Sequence, residues 1–128
     1  MKTPVQMFIT WLTEYVSIAG YKTERGMWVE DATKPKDKYL CLWVDQGRSP
    51  LMDIQYPTIR IIVTGTRNGR SLGETESVEM FAHGIIEAAE ENYRSDCIAQ
   101  VRSLGAIQGP YYTEVGRPWY EINFELTI

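Results

Sequence analysis

The chain has little of the side-chain chemistry on which metal sites and many enzymes depend. Among its 128 residues there is one histidine, His83, and there are two cysteines, Cys41 and Cys97, which do not form a C-x-x-C pair. A structural zinc ion takes four nitrogen or sulfur ligands, so these three residues are too few. His83 is expected on a helix surface, beside the main apolar stripe, where a histidine is more often solvated than catalytic. The sequence therefore predicts no metal, no cofactor and no catalytic residue.

Long apolar runs and a strong charge of one sign are also absent. No stretch approaches the roughly 20 apolar residues of a membrane-spanning helix, so we expect no membrane partner. The formal net charge is −4, whereas a duplex-binding protein needs a basic face that displaces counterions from DNA. We therefore expect no sequence-specific contact with nucleic acid. No secretory signal is visible, so both thiols are expected to be reduced, with Cys41 buried as a small hydrophobe.

Two further patterns indicate chemistry only weakly. Segment 65–73 is rich in glycine and lies between a predicted strand and a predicted helix, a place where phosphate-binding loops occur. It has neither the glycine-lysine ending of a P-loop nor the G-x-G-x-x-G spacing of a dinucleotide site. The carboxylate pairs Glu74/Glu76 and Glu90/Glu91 fall on a predicted exposed helix face, which favours a solvated acidic surface over acid–base catalysis.

What the sequence does contain is typical of one globular domain over residues 1–128. Hydrophobic residues make up 44% and charged residues 23% of the chain, close to the average for soluble domains. An apolar stripe at helical spacing predicts a first helix over about 4–19, with Thr3, Pro4 and Gln6 forming an N-terminal cap and Gly20 ending it. A second stripe predicts a helix over about 75–92, capped by Ser71 with Glu74, or by Thr75.

Strands are predicted where β-branched or alternating residues occur, at 39–45, 58–64, 97–104 and 118–128, with a further short strand possible at Met27–Val29. In the last strand, residues 120 to 128 alternate cleanly between an apolar and a polar face, which is typical of a half-exposed antiparallel strand. Polar connections are predicted at 21–38, 46–56 and 105–117. The expected fold class is α+β, with a mixed, mainly antiparallel sheet of about four to five strands packed against two helices.

Aromatic residues and arginines in or beside the predicted loops are the best candidates for an interface. Aromatic side chains are enriched where proteins meet, and Tyr111 with Tyr112 is the pair most expected to face a partner. The alternative is that Trp43 and Tyr120 belong to the core and the others are scattered. The arginines of the 67–70 segment alone are typical of a solvated loop. The candidate interface comprises Trp28, Arg67, Arg70, Tyr111, Tyr112, Arg117 and Trp119.

The C-terminal third carries a recognisable pattern. The glycine-rich link Leu104–Pro110 is followed by Glu114-Val115-Gly116-Arg117-Pro118 and then by a strand with the order Tyr120-Glu121-Ile122-Asn123-Phe124. This pattern resembles the end of small tail-terminator proteins, also called tail-completion or minor capsid proteins, of long-tailed bacteriophages. The order of an N-terminal helix, a sheet, a second helix and closing strands is similar to that family over most of the chain.

The resemblance implies a structural function. Such proteins form rings, typically hexamers, that cap the growing tail tube, stop its polymerisation and present a surface to the head. The implied partners are further copies of this chain, the tail tube protein and a head-completion protein. The implied location is the head-proximal end of the virion tail, and the host cytoplasm during assembly. A closed ring needs two different surface patches on each subunit, which we expect loops 21–38, 46–56 and 105–117 to supply.

Two other classes of function stay open at this point. A small enzyme or ligand-binding domain would have a deep pocket with perturbed titratable groups, lined by Trp43, Tyr56 and Trp119. A protein-binding adaptor would be a stable monomer with one apolar patch.

Overall fold

The fold is an α+β arrangement in which two helices cover one face of a five-stranded sheet, as predicted. A computed structural model describes residues 3–51, 54–68, 71–95 and 98–128, with the backbone alone between residues 46 and 51. Neither described helix is long and apolar enough to cross a bilayer. The elements are α1 (Pro4–Tyr15), β1 (Tyr21–Arg25), β2 (Lys38–Leu51), β3 (Ile54–Thr64), α2 (Leu72–Glu91), β4 (Gln100–Tyr112) and β5 (Pro118–Thr127).

The helix starts follow from their capping residues. The Thr3 hydroxyl accepts the Gln6 N–H while the Gln6 side chain accepts the Thr3 N–H, and Pro4 occupies the first turn, which confirms the predicted capping box. In α2, Ser71 accepts the Glu74 N–H, which selects the first of the two predicted caps. Helix α1 ends at Tyr15 rather than residue 19, because Val16 already adopts an extended conformation.

The sheet order is β1-β2-β3-β5-β4. Strands β1 and β2 run parallel, and every other neighbouring pair is antiparallel. One face packs against both helices to form the main core, in which α1 residues Phe8, Trp11 and Leu12 meet β-branched and aromatic side chains of β3 and β5. The alternation predicted for the last strand is confirmed, since Tyr120, Ile122, Phe124 and Leu126 all belong to this core.

The opposite face of the sheet carries no helix and is called here the helix-free face. A small cluster of Tyr39, Cys41 and Ile62 is buried on it, with Trp28, Trp43 and Trp119 packed around them. Cross-strand ion pairs cover the rest, from Arg60 to Glu121 at 2.6 Å and from Arg102 to Glu125 at 3.0 Å. The polar face of β5 is therefore more closed than predicted, and Glu121 and Glu125 are only 9% and 6% exposed.

Several predicted loops are strands. The strand between the first helix and residue 38 is β1 at Tyr21–Arg25, so the prediction at Met27–Val29 was wrong. The predicted connection at 46–56 is largely the continuation of β2 and β3, which pair through Arg48↔Tyr56 and Leu51↔Ile54. The predicted loop at 105–117 is β4 as far as Tyr112. Register shifts accompany both extensions, and such bulges hide the alternation on which a sequence-based strand prediction depends.

Candidate interaction surface

Arg117, expected at an interface, lies in the interior of the folded chain. Its side chain is 0% exposed. It forms a bidentate ion pair with Glu30, in which both nitrogen–oxygen distances are 3.0 Å. It also donates hydrogen bonds to the backbone carbonyls of Asp37 and Gly65. The guanidinium also lies 5.2 Å from the centre of the Tyr39 ring. A buried arginine needs such partners because an unpaired charge inside a protein is strongly destabilising.

This network of Arg117 holds three separate stretches of chain together. Glu30 belongs to the connection between β1 and β2, Gly65 directly follows β3, and Arg117 directly precedes β5. The turn around Arg117 is fixed locally as well, since Thr113 donates its N–H to the Arg117 carbonyl and accepts the Arg117 N–H with its hydroxyl. The hydrogen bonds from Arg117 hold the pKa of the Glu30 carboxyl below its ordinary value. Arg117 therefore ties the 26–37 connection to the ends of two strands, in addition to the backbone hydrogen bonds of Gly26 and Pro35.

A groove of about 330 Å³ lies between the two segments that Arg117 fixes. One wall consists of Met27, Trp28 and Glu30, and the other of Thr113, Glu114 and Val115. Trp28 is anchored by stacking on Tyr39 at a centroid separation of 6.0 Å. Met27 and Val29, by contrast, are 59% and 84% exposed. The groove thus presents apolar side chains to solvent on a backbone that is held in place.

The structure brings together four of the candidate interface residues. Trp28 and Trp119 pack against the same buried cluster on the helix-free face, and the Tyr111 ring packs on Trp119 in a tilted arrangement with ring centres 4.6 Å apart. Arg67 lies beside the groove, 3.9 Å from the Glu30 carboxylate. Tyr112 lies apart from them, with its hydroxyl 3.2 Å from that of Thr75 on α2. Arg70 lies outside the described residues.

The three aromatic residues proposed to line a ligand pocket are too far apart to do so. Trp43 pairs with Arg60 on β3, and Trp119 pairs with Thr64. Tyr56 lies eight residues before Thr64 on the same strand, which corresponds to roughly 26 Å. Tyr56 and Trp119 therefore stand near opposite ends of the sheet and do not share one small pocket.

The glycine segment before α2 presents a carboxylate rather than an anion site. Glu74 accepts the Thr66 N–H at 3.1 Å and lies 3.6 Å from Lys38. A phosphate placed at this helix start would meet that carboxylate, which removes the electrostatic advantage of the helix N-terminus. A Cβ on Gly65 would also approach the Glu74 carboxylate and the Pro118 ring within 3.0 Å, so the chain is closely packed at this glycine.

The remaining titratable candidates lie in unremarkable surroundings. His83 has an exposed side chain, 3.9 Å from Glu79 one turn earlier on α2. Cys41 is buried in the helix-free-face cluster, and burial raises the pKa of its thiol to about 11; Cys97 lies outside the described residues. Among the residues that the structure describes, no group of three or more histidine, cysteine or acidic side chains is placed to hold a metal.

A second surface feature lies at the far end of the sheet. Gln55 and Ile128 exchange two backbone hydrogen bonds of 3.0 Å, and beyond that point β2 and β3 pair only with each other among the described strands. We call residues 46–51 and 54–56 the β-arm. Ile54 on it is 41% exposed. The groove lies between two of the segments expected to supply surface patches, 21–38 and 105–117, and the β-arm lies in the third, 46–56. That the first two segments meet in one groove, and that the third is a pair of strands, was not predicted from the sequence.

Comparison with known proteins agrees with the sequence resemblance. A family model described as phage tail termination protein matches residues 1–128, the whole of the chain. No curated protein matches the chain.

Proposed function

The chain belongs to the phage tail termination protein family and so has a structural role in the phage tail, and from that premise we propose how it acts there. In this proposal several copies, six by the family resemblance, form a ring on the head-proximal end of the tail tube. The ring stops further addition of tube subunits and offers a surface to a head-completion protein. Assembly takes place in the host cytoplasm, and the ring then stays in the virion.

The observation that carries this proposal, beyond the family, is the separation of two unlike surfaces. The β-arm lies where β2 ends and β3 begins, and the groove lies where β2 begins and β3 ends. A ring requires a heterologous contact in which one patch of a subunit meets a different patch of the next. A single symmetric patch would give only a dimer, so two unlike surfaces at opposite ends favour a ring.

The distribution of charge supports a position around passing DNA. Helix α2 contains six glutamates and no lysine or arginine, while the rest of the chain has 13 basic and 11 acidic residues. Negative charge repels the DNA phosphates, which reduces adhesion along a channel. We therefore propose that the α2 side of each subunit faces the lumen.

The test is a combined measurement of mass and of tube length. Light scattering after size exclusion, over a concentration series and with negative-stain imaging, is expected to show a closed ring of about six copies. Tail tube protein that polymerises in the presence of the chain should give shorter tubes that carry a ring at one end. Tube protein with an equal amount of an unrelated acidic protein is the control.

Two results would contradict the proposal. One is a chain that stays monomeric at every concentration and also fails to bind tube ends, which would favour the adaptor function. The other is an unchanged distribution of tube lengths in the presence of preformed rings, which would leave a ring without the capping activity.

A further inference from the structure

On the basis of the ring proposed above, we propose that the β-arm of one copy docks in the groove of the next copy, between residues 26–30 and 113–117. The partner at this groove is thus a second copy of the chain. The tail tube and the head would be contacted by other surfaces.

The groove is organised before any partner arrives. Arg117 ties Glu30 of one wall to the turn that forms the other wall. The second wall is also tied to the 65–68 segment, because Asn68 donates its N–H to the Val115 carbonyl. Binding to a preformed site avoids the entropic cost of ordering it. An apolar side chain that enters between Met27 and Val115 would therefore gain burial without a rearrangement of the backbone.

The β-arm offers the complementary chemistry. Ile54 presents an exposed aliphatic side chain, and its ladder partner is Leu51. Arg48 is the one basic residue in the sequence of the β-arm, and its backbone lies opposite that of Tyr56 in the ladder. Glu114 is an exposed acidic residue of the groove. Apolar contact at the centre with opposite charges at the rim is the usual anatomy of a protein interface.

The contact must be between molecules rather than within one. Leu51 in the β-arm and Tyr39, which supports Trp28 at the groove, are twelve residues apart on β2. An extended strand of that length spans roughly 35–40 Å. A β-arm cannot reach the groove of its own chain across that distance. The docking is therefore head-to-tail, the type of contact that closes into a ring when the rotation permits.

Disulfide trapping tests the contact directly. Ile54→Cys and Val115→Cys are combined in a Cys97→Ser background, where Cys41 stays buried. Oxidation is expected to give a ladder of cross-linked species that ends at the ring. The control combines Ile54→Cys with Leu72→Cys, since Leu72 is 74% exposed on α2. A ladder of equal yield from the control pair, or none from the test pair in a chain that still forms rings, would overturn the inference.

A matched pair of charge insertions tests the groove without new cysteines. Met27 and Met80 are exposed to 59% and 72%, so aspartate at either position should leave the fold intact. Met27→Asp is expected to raise the concentration needed for ring formation by at least about tenfold, the effect of one lost apolar contact of roughly 1.4 kcal/mol. Met80→Asp should leave that concentration unchanged.

The outcomes separate this inference from the proposed function. Rings of normal stability in Met27→Asp, or equal loss in both variants, would remove the groove from the interface while the capping function stands. If the unsubstituted chain forms no ring and gives no cross-linked ladder even on tail tubes, both proposals fall together.

Discussion

At the scale of single residues, the fold depends on Arg117, whose positive charge lies in the protein interior, where an unpaired charge is strongly destabilising. Arg117 is completely buried, and its partners come from positions 30, 37 and 65. Replacing one partner of such a pair leaves the other charge without compensation, which costs more than the pair itself contributes. The strength of the network is therefore best measured through Glu30, which can be neutralised by pH as well as by substitution.

We expect Glu30→Gln to be destabilised by about 2–3 kcal/mol at pH 7, less than for a fully buried pair because Glu30 is partly exposed. The folded pKa of Glu30 lies below its ordinary value of 4.5, so the contribution of this carboxylate is complete above pH 4.5. It is lost as the pH falls through the folded pKa. The difference in urea midpoint between wild type and variant should therefore shrink between pH 7 and pH 3.

The control for this measurement is Glu87→Gln, an exposed position on α2. It should show almost no difference from the wild type at either pH. A difference for Glu30→Gln that stays constant from pH 7 to pH 3 would mean that the amide itself, and not the loss of charge, causes the destabilisation.

Residue roles that depend on near neighbours could be predicted, and those that depend on distant ones could not. The capping residues Thr3 and Ser71 act on groups three positions away, so the sequence contains both partners side by side. Arg117 and Glu30 are 87 positions apart. In sequence, an arginine beside glycine and proline looks like a loop residue, and only the tertiary fold shows that this one is buried.

At the scale of elements, the same distinction separates the strands. The core strand around Ile59–Val63 and the last strand were predicted because β-branched runs and alternation mark them. Strand β1 and the extensions of β2 and β4 were missed. Their burial is low or their register is shifted by bulges, so neighbouring strands, rather than local side-chain pattern, hold them in the sheet.

The junction between β3 and α2 gives a prediction at this scale. A Cβ on Gly65 would lie 2.9 Å from both Pro118 and Val78, whereas one on Gly84 in α2 would meet nothing within 4 Å. Gly65→Ala should lower the free energy of unfolding by about 1–3 kcal/mol through overpacking. Gly84→Ala should raise it by about 0.5–1 kcal/mol through helix propensity. Urea denaturation of both variants checks the pair, and a stable Gly65→Ala would show that the junction can relax.

At the scale of the whole molecule, the centre of the sheet and the β-arm differ in how many neighbouring strands and helices contact them. Residues of β3 from Ile59 to Val63 have a strand on each side and a helix layer over one face. Apart from the two backbone hydrogen bonds between Gln55 and Ile128, the ladder partners of the β-arm in the described part of the chain are its own residues. The free energy needed to open a segment locally ranges from near zero to the free energy of unfolding of the whole protein. It is larger where more neighbouring elements pack against the segment.

Hydrogen exchange should therefore divide the isolated chain into a slow centre and a fast end. Amides of residues 59–63 are expected to exchange at least about a hundredfold more slowly than those of the β-arm. Exchange followed by mass spectrometry on the monomer checks this. Equal protection of both regions would mean that the β-arm is held by contacts within its own chain, which would also weaken its assignment to a neighbouring copy.

The contacts of Arg117 also bear on synthesis. The groove has one wall from residues 27–30 and another from residues 113–115, and the side chain that joins them, at residue 117, is translated after both. A product released before residue 117 contains the first wall without its anchor. Such a fragment keeps its β-arm sequence and lacks a finished receptor for the next copy. If copies dock as proposed above, assembly therefore requires a chain that has been translated through residue 117.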